Sequence, residues 1–321
     1  MNIGIIGGGM VGNAVANGFK NNNLLIADPS LNDTTVKEVC EHSELIFVCV
    51  PTPTNNGDFD DTIINEVFSE ISKFYTGDVV IKSTILPDYL KNIYNDNKNI
   101  NLAYNPEFLS DRTANKDFMF PEMVVIGTED ADYADRIEKI YKENSLVICK
   151  NYHKVDLVTA SMIKYGFNTF FATKVIFMNE LYGVFQSSGT SMSWEDFRNV
   201  ISQHPWMGPE HNQVPGHDGY FGYGGKCFPK DTMAFSKYAE RTGKPTNLLN
   251  KAIELNTKYR NEDTRSFTYK VEDIFQDIEG DDENVLMIIP PEIQEYTGWN
   301  EGDNVEITID DNIINIKSVN E

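Results

Sequence analysis

The stretch Asn2-Ile3-Gly4-Ile5-Ile6-Gly7-Gly8-Gly9-Met10-Val11-Gly12 constrains this chain more than any other. Its apolar opening reads as a short buried strand, and the glycines that follow have the spacing GxGxxG. A helical stretch runs from Asn13 to Phe19. A second apolar run, Leu24-Leu25-Ile26-Ala27, ends on Asp28, at the roughly twenty-residue distance that a dinucleotide-binding fingerprint requires. Gly7 makes the turn, Gly9 lets a pyrophosphate approach, and Gly12 admits close helix packing. Met10 and Val11 stand between the last two glycines and count with them as cofactor-binding, because amides at a helix N-terminus favour an anion. Asp28 would accept from ribose hydroxyls and repel a 2′-phosphate, which selects NAD over NADP.

Further strands are expected at Leu45–Val50, Val79–Ser83, Leu102–Tyr104 and Met123–Gly127, separated by helical segments such as Thr62–Phe74. This alternation implies an α/β fold with a parallel sheet and right-handed crossovers. The C-terminal ends of such strands face the ligand crevice. Val50, Pro51, Thr52, Ser83 and Thr84 therefore join the cofactor-binding set. From Lys154 to Phe185 the pattern changes to one long apolar helix, on which Lys164 and Asn168 share a face. By pattern alone that polar pair is either a solvated edge or a site. Shorter helices are expected around Trp194–Gln203, Thr232–Thr242 and Leu248–Asn261.

The length of 321 residues suggests about two domains. No run is long enough to span a bilayer, and the N-terminus lacks a basic region before its apolar stretch. The four cysteines, Cys40, Cys49, Cys149 and Cys227, form no CxxC pair and no cluster at zinc spacing. Neither a disulfide framework nor a metal is expected, and a reducing cytoplasm is the expected compartment. A net charge of −22 argues against nucleic acid or anionic membranes as partners. Residues 261–321 hold 17 acidic and 3 basic residues, so −14 of that charge lies there. The shift marks a separate C-terminal module. Its residues 284–321 read as β-rich, with strands at Val285–Ile289, Val305–Ile309 and Ile313–Lys317, a short helical turn, and turns at Gly302-Asp303 and Asp310-Asp311-Asn312.

The segment Gly222-Tyr223-Gly224-Gly225-Lys226-Cys227-Phe228-Pro229-Lys230-Asp231 sits among the later helices. Its glycines allow close backbone approach, Pro229 stiffens the exit from the turn, and Lys230 is near enough in sequence to favour a thiolate. On the residues alone Cys227 is a buried thiol, a ligand or a nucleophile.

Taken in order, GGGMVG, VPTP, KSTILP, NPEFL, the helix with Lys164 and Asn168, and GYGGKCFPKD resemble the UDP-glucose/GDP-mannose dehydrogenase family over residues 1–265. The resemblance implies an NAD-binding Rossmann domain (residues 1–153) followed by an all-helical dimerisation and catalytic domain (154–265). It implies oxidation of a nucleotide-sugar C6 hydroxyl to a carboxylate with NAD, giving a uronic acid, in an assembly at least dimeric. Cys227 is then the nucleophile that carries a thiohemiacetal and a thioester. Lys164 and Asn168 stabilise the oxyanion, Asp231 and Thr84 assist a water, and Glu107 helps thioester hydrolysis. Phe108, Leu109, Asp111, Tyr223 and Gly224 join Glu107, Lys164 and Asn168 on the substrate side. Asp111 stands where the family has Glu.

Departures accompany the resemblance. The family continues into a second Rossmann-like domain, for which this chain has no room. Two family arginines are replaced, one at Pro205-Trp206-Met207-Gly208 and one at Glu122-Met123. His204, His211 and His217 lie near enough to substitute in part. The C-terminal module resembles the AbrB/SpoVT swapped hairpin, which dimerises by strand exchange. Two other functions stay open: a single-step β-hydroxyacid-type dehydrogenase, which needs no cysteine, and a non-catalytic NAD-binding or DNA-binding scaffold.

Overall fold

The computed structural model describes residues 1–110, 112–262, 275–278, 281–289, 305–310 and 313–318. Contacts divide the chain into two units, Met1–Glu262 and Asp263–Glu321. In the first, β1 (Asn2–Ile6) leads into the glycine turn, and α1 (Met10–Gly18) and β2 (Asn23–Ala27) follow it as the spacing requires. Next come α2 (Val36–His42), β3 (Leu45–Val48), a small hairpin of β4 (Thr54–Asn55) and β5 (Asp58–Phe59), and α3 (Thr62–Phe74). Then follow β6 (Asp78–Ile81), α4 (Pro87–Asp96), β7 (Asn101–Tyr104), α5 (Ala114–Met119), β8 (Val124–Gly127), α6 (Ala131–Asn144) and β9 (Tyr152–Val155). The chain has the α/β class read from its sequence.

Seven strands form one sheet in the order β2-β1-β3-β6-β7-β8-β9. Alternate residues of its strands enter separate cores, as a period of two demands. Ile46 and Val48 of β3 pack in one cluster with Ile64, Phe68 and Leu90. Leu45 and Phe47 pack in the other with Phe19, Tyr133 and Tyr141. The sheet is not wholly parallel: β8 meets β7 antiparallel at Tyr104 and Gly127. A parallel return needs a crossover over the sheet face. The six-residue α5 makes none and instead packs on α1, where a Cβ at Gly18 would lie 2.3 Å from the Phe118 ring.

β3 and β6 stop at Val48 and Ile81, so Val50 and Ser83 belong to loops, not to strands. The long helix is α7 (Leu157–Ser187) and not Lys154–Phe185. Lys154 and Val155 pair with β8, and the Asp156 side chain caps the helix by accepting from the Thr159 amide. α8 (Trp194–Ser202), α9 (Phe228–Arg241) and α10 (Asn247–Glu262) complete the unit. α9 starts four residues earlier than expected, because proline is tolerated in a helix's first turn and Pro229 lies inside it. Cys227 is therefore the N-cap residue of α9.

In the second unit, β10 (Phe275–Ile278) pairs antiparallel with β11 (Asp281–Met287), and β12 (Val305–Asp310) with β13 (Ile313–Ser318). β10 was not expected. The helical turn and the Gly302-Asp303 turn lie outside the described residues. Among the described residues no helix is long and apolar enough to cross a membrane, and no cluster of ligating side chains could hold a metal.

Candidate active site

At the N-terminal end of the sheet's first helix, sterics explain the glycine spacing. Gly7 adopts φ +97°, and a Cβ there would lie 2.6 Å from the Cys49 carbonyl oxygen. A Cβ at Gly12 would lie 1.9 Å from the Gly7 carbonyl oxygen. Gly9 is the N-cap of α1, and a Cβ there meets nothing within 4 Å. The helix N-terminus thus opens on a cradle that a pyrophosphate fits.

At the end of β2, Asp28 accepts from the Gly8 amide at 2.6 Å and from the Ser30 amide and hydroxyl at 2.9 and 2.6 Å. The Ser30 hydroxyl, then the Gly8 and Ser30 amides, hold its carboxyl below the usual range. A fixed anion at this edge should favour NAD over NADP by at least about tenfold, or about 1.4 kcal/mol. Titrating the protein with both cofactors checks this; equal affinities would show that Asp28 does not face the ribose.

The two strand-end loops are tied together. Thr52 donates its hydroxyl to the Thr84 carbonyl at 2.8 Å, and Ser83 to the Val50 carbonyl at 2.7 Å. Between them Lys82 is buried and donates to Asn105 Oδ1 at 2.9 Å; burial pushes its pKa down to about 8.

A second cluster joins residues far apart in sequence. Lys164 Nζ donates to Glu107 Oε1 at 2.9 Å, with side chains only 4 % and 6 % exposed. Glu107 Oε2 accepts from the Leu109 amide at 2.6 Å. One turn further along α7, Asn168 donates to Asp231 Oδ2 at 2.6 Å. Asp231 lies one turn into α9 from Cys227, whose carbonyl accepts the Asp231 amide. The Lys164–Asn168 pair is therefore a buried arrangement and not a solvated edge. Burial works against the Lys164 charge, yet Glu107 and then Asp231 raise its pKa. Burial likewise opposes the Glu107 charge, and Lys164 with the Leu109 amide still holds it below the usual range.

Lys230 binds Asp231 Oδ1 at 2.5 Å and also favours the Cys227 thiolate, as its place in the sequence suggests. Burial, then Glu107, pushes the Cys227 thiol up, and Lys164 opposes this more than Lys230 does. Asn168 directs an N–H at Asp231 and so holds that carboxylate in place.

Glu107, Phe108, Leu109, Lys164 and Asn168 line a cavity of about 730 Å³. Tyr223, Gly224 and Cys227 line a neighbouring one of about 540 Å³, to which Leu109 also contributes. Thr84 and Asp231 are buried and line neither. Asp111 lies outside the described residues. Met123, at one replaced arginine, lines the first cavity, while Trp206, at the other, is 92 % exposed. Cations reach the second cavity from elsewhere: Arg112, Arg198, Lys226 and Arg260 line it beside Glu210 and Asp218, the last paired with Arg260 at 2.8 Å. Sequence reading missed these cations because they are scattered over four segments. His211 lines both cavities and stacks on Phe171 at 4.4 Å; His217 lines the second, and His204 packs on Trp206.

Two family models match, both of the UDP-glucose/GDP-mannose dehydrogenase family: its NAD binding domain over residues 23–145 and its central domain over residues 158–258. Together they cover well over half of the chain. The chain is 34% identical over 232 residues to a UDP-glucose 6-dehydrogenase of Rickettsia bellii, covering 68% of this chain and 50% of that protein. It is 31% identical over 241 residues to a GDP-mannose 6-dehydrogenase of Pseudomonas savastanoi pv. phaseolicola, covering 70% and 53%. The chain thus spans about half the length of these relatives. A UDP-glucose dehydrogenase structure from Pyrobaculum islandicum superposes with a TM-score of 0.69 at 21% identity, over 80% of this chain and 68% of that one, a likeness of fold. Through its NAD-binding and central domains, the chain belongs to the UDP-glucose/GDP-mannose dehydrogenase family.

Proposed function

We propose that this protein oxidises the C6 hydroxyl of a nucleotide sugar to a carboxylate through a covalent link to Cys227. The observation that carries this reading is the buried Lys164–Glu107 ion pair, electrostatically coupled to Cys227 and Asp231 at the start of α9. Gly7, Gly9 and Gly12 would hold NAD⁺, with Asp28 toward its ribose, and the cofactor would supply the two-electron acceptor. Met10, Val11 and the loops carrying Val50, Pro51, Thr52, Ser83 and Thr84 complete that end.

On the substrate side, the buried Lys164 side chain lines the first cavity, where a cation stabilises charge on the C6 oxygen. After the first two-electron oxidation, Cys227 Sγ bonds to the aldehyde carbon as its proton leaves, and the carbonyl oxygen is protonated. In the second oxidation that carbon gives up a hydride, for which a second NAD⁺ would be the acceptor, while the hydroxyl proton leaves to solvent and the C=O of a thioester forms. A water, oriented by Asp231 and Thr84 with Glu107 nearby, adds to the carbonyl; the C–S bond breaks, and thiol and acid result. The cations of the second cavity suit the diphosphate of such a substrate, beside Phe108, Leu109, Tyr223 and Gly224.

The experiment that tests the reading incubates the protein with NAD⁺ and a panel of nucleotide sugars. Two NADH should form per acid produced; no acid from any sugar overturns it.

The division of the first unit near residue 153, a helical dimerisation domain and a swapped hairpin at residues 284–321 belong to the same proposal. Phe170, Phe177 and Val184 recur every seven residues on α7 and are exposed, a stripe that a second copy of the chain would cover. We expect at least a dimer. Deleting residues 284–321 should lower the oligomer order or its stability and leave NAD binding in place. A monomer by light scattering, or an assembly unchanged by the deletion, counts against this.

A further inference from the structure

We infer that Asn179 and Asn256 are positioning residues for Cys227, acting through the backbone that leads into it. The inference rests on Cys227 being the residue that forms the covalent link. Asn179 lies on α7 eleven residues beyond Asn168, about three helical turns and hence on the same face. Its side chain is 4 % exposed, and its Oδ1 accepts the Gly222 amide at 3.0 Å. Asn256, on α10 and 9 % exposed, accepts the next amide, that of Tyr223, at 2.6 Å. Two helices on either side thus fix two consecutive peptide units.

The geometry explains why glycine stands at 222. Its φ is +74°, and a Cβ there would lie 2.4 Å from Asn256 Oδ1, displacing the acceptor from the Tyr223 amide. Beyond the clamp come Gly224 and Gly225, of which Gly225 has φ +75° and no neighbour within 4 Å of a Cβ. Gly225 is thus the open point on the path to Cys227, whereas a Cβ at Gly224 would lie 2.6 Å from Arg260 Nη2 and 2.8 Å from Asp218 Oδ2. The Tyr223 ring spans this path, meeting Phe228 edge-on at 6.2 Å. With Gly222 and Tyr223 anchored and Phe228 held in α9, little freedom remains for the Cys227 sulfur. A buried amide left without its acceptor would cost enough to move this loop.

The two asparagines differ in a way that makes the inference testable. Asn179 also donates Nδ2 to the Val175 carbonyl at 2.7 Å, so its task needs a donor and an acceptor. The clamp at Asn256 uses the acceptor oxygen alone. A carboxylate can therefore replace Asn256 and cannot replace Asn179, where it would face the Val175 oxygen.

The test compares Asn256→Asp, Asn256→Leu, Asn179→Asp and Asn179→Leu in the full chain. The first readout is the rate of Cys227 alkylation by iodoacetamide, located by mass spectrometry and read beside the melting temperature and NAD affinity. Asn256→Asp should keep the wild-type rate within about threefold, while both leucine variants and Asn179→Asp should be alkylated at least about tenfold faster. With an active sugar, the impaired variants should release aldehyde and form acid about a hundredfold more slowly, the cost of a misplaced reacting atom. Equal rates at both positions for the aspartate variants would overturn the inference, even if the leucine variants fail to fold. Alkylation needs no sugar, so failure of the proposed activity and failure of this inference are separable.

Discussion

Replacing Lys164 by methionine is expected to stop acid formation, by about a thousandfold, and to destabilise the protein by about 3–5 kcal/mol. Both effects come from the same burial. Glu107 would keep its charge, buried and without its cation, which is the costly way to break a buried pair. For a unit of this size such a loss lowers the melting temperature by roughly 10 °C. Replacing both partners, Lys164→Met with Glu107→Gln, should recover most of the stability and none of the activity. Calorimetry of the single and double variants, beside turnover, separates the two roles.

The same pair fixes a sign with pH. The Glu107 carboxyl sits below its ordinary range, so its contribution is present above the unfolded carboxylate pKa and lost as pH falls through the folded value. In Lys164→Met that carboxyl should titrate higher than in the wild type, because burial still opposes its charge and only the Leu109 amide and Lys82 remain to offset it. Its penalty then falls on acidification. The gap in melting temperature between wild type and variant should narrow from pH 8 to pH 5. A gap that widened would mean that Lys164 is not what holds Glu107 ionised.

Much of the N-terminal half was legible because its constraints are local. Gly7, Gly9, Gly12 and Asp28 lie within one strand-helix-strand unit, and a Cβ at Gly7 or Gly12 would collide with backbone as the spacing implied. Strand ends were less legible. Val50 and Ser83 follow apolar strands closely, yet both lie beyond the sheet, where the Ser83 hydroxyl donates to the Val50 carbonyl and ties two loops together. The antiparallel β8 depends on how a nineteen-residue excursion packs on α1, and no local pattern encodes that. Around Cys227, adjacency in sequence showed only part of the field: Lys230 favours the thiolate, and Lys164, brought in by α7, favours it more. The cations of the second cavity and the two clamping asparagines come from separate segments. Only the fold assembles them.

Replacing Cys227 by serine is expected to abolish acid formation while NAD⁺ affinity stays within about twofold of wild type, since serine keeps the shape and loses the nucleophile. The cofactor cradle at Gly9 and Asp28 shares no hydrogen bond with Cys227, so the substitution should not reach it. The first oxidation needs no sulfur, so the variant should still reach the aldehyde and release it. Because burial and Glu107 push the thiol up, the wild-type sulfur carries its proton in the free protein at neutral pH. Alkylation of Cys227 should accordingly keep rising beyond pH 9, with no plateau near neutrality. Lys164 is the opposing charge, so in Lys164→Met the alkylation curve should move further to alkaline pH. Full acid production by Cys227→Ser would remove the sulfur from the reaction, and an alkylation plateau near pH 7 would show a thiolate already formed before substrate arrives.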